Sequence, residues 1–145
     1  MSLLALPELA AGFVYGMVGD NHLTEMESCY QGTAPLLSYL EGALADLEHF
    51  QIFKAMGQFE LFVFHFQQDI APCSMMSDDI AEIESWATAF TNPTSLISEV
   101  TKHYLLHKKA VTADIAAVKA DWATGAYFAT GKDAADLLTV LIPMQ

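Results

Sequence analysis

Apolar residues recur along this chain at three- and four-residue intervals, the period of α-helices with one face turned inward. Leu4, Leu9, Phe13 and Met17 mark a first short helix, ended by Gly19-Asp20-Asn21. Leu23, Met26 and Tyr30 carry a second from Asn21, whose side chain suits an N-cap. Gly32 and Pro35 interrupt it, Thr33 offers a fresh cap, and Leu36, Leu37, Leu40, Leu44 and Leu47 continue the stripe. Residues 50–71 form an aromatic segment closed by Pro72, whose ring does not fit a helix interior. Ser77 or Asp78 caps the next helix, which carries Ile80, Ile83, Trp86, Ala87 and Phe90. In Thr91-Asn92-Pro93, Asn92 is the N-cap and Pro93 the first helical position. The spacing then predicts one long helix near 93–123, with Leu96, Ile97, Val100, Tyr104, Val111, Ile115, Val118 and Trp122 inward. Gly125 punctuates, and a last helix runs over 126–142. The expectation is a single all-α domain over 1–145, a bundle of five or six helices.

One stretch departs from this pattern. From Gln58 to Phe66 the chain reads QFELFVFHF, with only Glu60 and His65 breaking the apolar run. As a strand it would stand alone, leaving its backbone groups unpaired. As a helix it carries two stripes: Phe50, Phe53, Gly57, Leu61 and Phe64 on one, and Phe59, Phe62, Val63, Phe66 and Ile70 on the other. A surface helix needs only one. The second is covered by the rest of the bundle, by another protein subunit, or by an apolar ligand in a cavity. Large aromatic side chains suit interface anchors, because each buries much area at modest entropy cost. The expected partner interface is therefore Phe59, Phe62, Phe64 and Phe66, joined by Gly12 and Gly16 of the first helix. Gly12 and Gly16, followed by Gly19, have the small-x-x-x-small spacing of closely approaching helices, for which tight packing within the chain is the favoured reading over an oligomer interface.

Composition narrows the function classes. With 18 acidic against 6 basic residues, the formal charge of −12 repels phosphate backbones and anionic lipid, which argues against nucleic-acid binding. The chain is 53% apolar, yet no segment reaches the ~18 uncharged apolar residues of a membrane span. The first residues, MSLLALPELAAG, lack the basic region of a signal peptide, so the chain reads either as cytoplasmic or as a mature secreted protein. Its two cysteines, Cys29 and Cys73, are either free buried thiols or one disulfide closing a loop of about 45 residues.

Three stretches, LAAGFVYGMVGDNHLTEMESC, DDIAEIESWATAFTNPTSL and IAAVKADWATGAYFATGKDAADLL, together resemble a largely uncharacterised family of small secreted helical two-cysteine proteins from protists. The resemblance spans nearly the whole chain. It implies an oxidising compartment and a Cys29–Cys73 disulfide, and no known activity. Residues 50–66 depart from it, being far more aromatic than the alternating segment expected there.

Candidate chemistry is sparse. Glu99, His103 and His107 lie at i, i+4 and i+8 on one helix face, but their line of roughly 12 Å is too long for a shared metal ion. His65 reads as a structural imidazole in the aromatic run, and His22 and His49 have no companion pattern. Asp78, Asp79, Glu82 and Glu84 crowd a helix start, where they complement its dipole. No phosphate loop, nucleophile elbow or calcium loop is present. No catalytic, cofactor or metal residues are assigned. The expected function is a non-enzymatic structural or assembly protein that self-associates or binds another subunit through residues 50–71. The alternatives are a carrier of an apolar small molecule and, third, a metal-assisted enzyme using His103 and His107.

Overall fold

The computed structural model describes residues 5–32 and 35–144. Among them are eight α-helices and no strands: α1 (Leu6–Val18), α2 (Leu23–Cys29), α3 (Pro35–Glu48), α4 (Ile52–Ile70), α5 (Ser77–Ala87), α6 (Pro93–Leu106), α7 (Lys108–Ala123) and α8 (Tyr127–Leu141). The chain is an all-α single domain. Its local signals act as their chemistry dictates. Gly19 takes a left-handed conformation at φ 82° and returns its N–H to the Tyr15 carbonyl, ending α1. The Asn21 side chain accepts from the Leu23 N–H at 3.0 Å. Asn92 caps α6 by accepting from Ser95 at 3.3 Å, with Pro93 at the first turn. Leu4 and Thr33 lie outside the described residues.

The helix count exceeds five or six chiefly because the predicted helix near 93–123 is two helices. The chain breaks at His107 (φ −123°, ψ 35°), leaving α6 and α7 in its place. Leu96, Val100 and Tyr104 of α6 and Val111, Ile115 and Val118 of α7 keep one helical phase across the break. Periodicity alone therefore cannot register it. Tertiary packing does: α6 touches both α8 and α4, while α7 lies mainly along α8.

The centre of the fold is the pairing of α1 with α8. A Cβ on Gly12 would collide with the Phe128 carbonyl, and one on Gly131 with the Leu9 carbonyl. A Cβ on Gly16 would meet the Lys132 backbone and the Ala135 side chain. Small residues on both helices let the backbones touch. Gly12 and Gly16 are thus occupied within the chain, which corrects their assignment to a partner interface.

The inner face of α4 locks onto this pair. Phe13 of α1 sits with its ring 5.2 Å from Phe62 and 4.8 Å from Phe66. Phe59, Phe62, Val63, Phe66 and Ile70 are all buried. Each such side chain contributes about 1.5–3 kcal/mol on removal from water. The stripe with Phe59, Phe62 and Phe66 therefore faces the chain's own core, and these three side chains are unavailable to a partner. Long-range bonds complete the frame. Trp86 donates through Nε1 to the Ile142 carbonyl at 2.7 Å, tying α5 to the C-terminal segment. A Cys29–Cys73 disulfide (Cα–Cα 5.1 Å) joins the end of α2 to the turn after α4.

Candidate functional site

The same geometry that buries one stripe of α4 leaves the other in solvent. Phe53 is 76% exposed, Phe64 55%, Phe50 50% and Leu61 42%. Of the partner residues expected from sequence, only Phe64 lies on this outer face. Phe53 and Leu61 join it, with Phe50 at the loop just before the helix and Lys54, Gly57 and Glu60 between them. From Phe53 to Phe64, α4 thus presents apolar side chains along about 16 Å of its outer surface.

Phe50 occupies an unusual backbone state. Its φ of 56° makes it the one non-glycine residue with positive φ among the described residues. The Phe50 N–H donates to the Leu47 carbonyl at 3.0 Å and the Gln51 N–H to the Asp46 carbonyl at 2.8 Å. That is the bonding of a left-handed helix cap, a position that glycine ordinarily fills. The phenyl ring meets Tyr104 edge-on at 5.0 Å.

A second surface feature is a cleft of about 300 Å³ between α3, α7 and α8. Its apolar wall is formed by Leu37, Leu40, Leu44, Val118 and Trp122, and Lys119 pairs with Glu48 at its rim. This volume sits at the low end of small-molecule sites.

The third is polar. His22 meets Asp79 at 2.6 Å through Nε2 and Glu25 at 3.0 Å through Nδ1, joining α2 to the start of α5. Burial disfavours the charged imidazole, but the hydrogen bonds to Asp79 and Glu25 outweigh it and raise the pKa above 6.5. Asp20 is raised as well, mainly by its hydrogen bond to Asp79. Asp20, His22 and Asp79 place ligand atoms within 4.8 Å of one another, spacing that a divalent cation can bridge. His103 instead pairs with Glu99 at 3.4 Å and stacks on His107 at the α6–α7 break.

Sequence reading missed the companion of His22, because Asp79 is 57 positions away and only the fold brings it near. It also missed Phe53 and Leu61 as surface residues. The signal for them was present in the two-stripe pattern, but not the choice of which stripe faces out. Compared with known proteins, the chain matches no family model, no curated protein and no solved structure.

Proposed function

We propose that this protein acts by binding rather than catalysis, as a structural or assembly subunit whose docking surface is the outer face of α4. The observation that carries this reading is the exposure of Phe53, Leu61 and Phe64 in one line on a helix whose other face is core. Aromatic and leucine side chains left in water along a rigid helix are the composition of interface anchors. The acidic remainder of the surface keeps such a face soluble and discourages docking elsewhere. The disulfide supports an oxidising, extracellular setting, as the protist-family resemblance implies.

A photo-cross-linking residue at Phe53, compared with one at exposed Thr24 on α2, tests the reading. Adducts with a protein chain, its own or another, form from position 53 and are scarce from position 24. Equal yields from the two positions would refute a docking face on α4.

The second reading, a carrier of apolar small molecules, draws on the cleft lined by Leu40, Leu44, Val118 and Trp122. It predicts a stoichiometric lipid-like molecule in protein purified from its native source, identified by mass spectrometry. Its absence there would remove the carrier reading.

A further inference from the structure

The outer face of α4 reads nearly the same in both directions about Gly57. Phe53 and Leu61 lie four residues either side of it, Lys54 and Glu60 three, and Phe50 and Phe64 seven. All of these side chains are exposed. We propose that this face binds a second copy of the same chain, α4 against α4, antiparallel about a two-fold axis at Gly57. The proposal rests on the reading of α4 as a docking face and names what docks there.

Three observations converge on this occupant. The first is the pairing itself. A two-fold interface is self-complementary, so each residue must suit the partner residue in its own layer. Antiparallel pairing about Gly57 sets Phe53 beside the partner's Leu61 and Phe50 beside the partner's Phe64. It places Lys54 in the layer of the partner's Glu60, within reach of extended side chains. Lys54 has no ion pair within the chain among the described residues. A parallel pairing would set lysine on lysine and glutamate on glutamate.

The second is Gly57. Glycine in a helix interior costs about 1 kcal/mol relative to alanine. Gly12 and Gly131 offset that cost by close packing within the chain. Around Gly57 a Cβ would meet nothing within 4 Å, so the single chain gives no reason for it. At the centre of an antiparallel helix pair, a missing side chain lets two backbones approach.

The third is Phe50. A left-handed backbone costs a residue with a Cβ about 1–2 kcal/mol, and a bulky aromatic is rare there. The ring packs edge-on against Tyr104 and stays half exposed just before α4, where the antiparallel pairing brings the partner's Phe64. With about 200 Å² per aromatic side chain, the four exposed apolar residues of both copies cover roughly 900 Å². That is below the range of stable specific interfaces and fits a weak one, with an expected dissociation constant on the order of 100 µM.

Sedimentation equilibrium up to about 1 mM protein, on the intact disulfide-bonded chain, tests the dimer. Wild type fits a monomer–dimer equilibrium. Gly57→Leu and Lys54→Glu each weaken it by about tenfold or more. The double change Lys54→Glu with Glu60→Lys restores it to within about threefold, because each new charge meets its complement across the axis. Unfolding midpoints within about 3 °C of wild type show that the variants are folded. A wild type that stays monomeric overturns the second copy as occupant. A dimer that the charge swap fails to rescue overturns the antiparallel register. If wild type is monomeric but the cross-linker at Phe53 still joins another protein, the dimer falls and the docking face stands. If neither occurs, both fall.

Discussion

Two glycines in helix interiors should respond oppositely to the same substitution. At Gly131 in α8, a new Cβ would run into the Leu9 carbonyl and come within 2.7 Å of the Phe13 nitrogen. These are backbone atoms of α1, so relief requires the two most closely packed helices of the fold to separate. Overpacking of this kind costs about 1–3 kcal/mol, and here a backbone must move rather than a flexible side chain. Alanine's better helix propensity returns about 1 kcal/mol. The expected net loss for Gly131→Ala is about 2 kcal/mol, or roughly 6 °C in melting temperature. At Gly57 the propensity gain stands alone, so Gly57→Ala should raise stability by about 1 kcal/mol. Urea unfolding followed by circular dichroism at about 1 µM, where the chain is monomeric, measures both. The m-values should stay at the wild-type value. A Gly131→Ala variant as stable as wild type would refute the α1–α8 contact. A destabilised Gly57→Ala would refute the claim that the single chain leaves that site empty.

Further outcomes follow from the disulfide and the titrating groups. Replacing Cys29 and Cys73 by serine removes a link across 44 positions and should lower stability by about 4 kcal/mol, read as a lower urea midpoint. The raised pKa of His22 gives stability that is full below about pH 6.5 and lost as pH rises through the folded-state value. The stability gap between wild type and His22→Gln should therefore shrink as pH rises above about 6.5, and a gap independent of pH would remove the charged His22–Asp79 link. Asp133 is lifted to about 7, first by burial and then by the neighbouring Asp121 carboxyl. Because its folded state holds the proton more tightly, stability should fall as pH rises from about 4 to 7. Asp133→Asn should match wild type near pH 4 and exceed it by about 1 kcal/mol at pH 8, solvent screening having reduced the effect.

The sequence determined the helical class, most helix boundaries and the excess of apolar surface on residues 50–71. These are local properties: turn chemistry at Gly19, Asn92-Pro93 and Gly125 acts within a few residues, and apolar period reflects the helix's own geometry. It did not determine the break at His107, because the apolar phase runs through it unchanged. The approach of His22 to Asp79 was equally hidden, since the pair meets only across the fold.

The decisive case is α4. Periodicity separates its two stripes but contains nothing that ranks them, since both are rich in phenylalanine. Tertiary structure ranks them: the ring of Phe13 of α1 packs against both Phe62 and Phe66, so that side faces inward. Phe53, Gly57, Leu61 and Phe64 face out as a consequence of how α1 packs, and no reading of α4 by itself reaches that result.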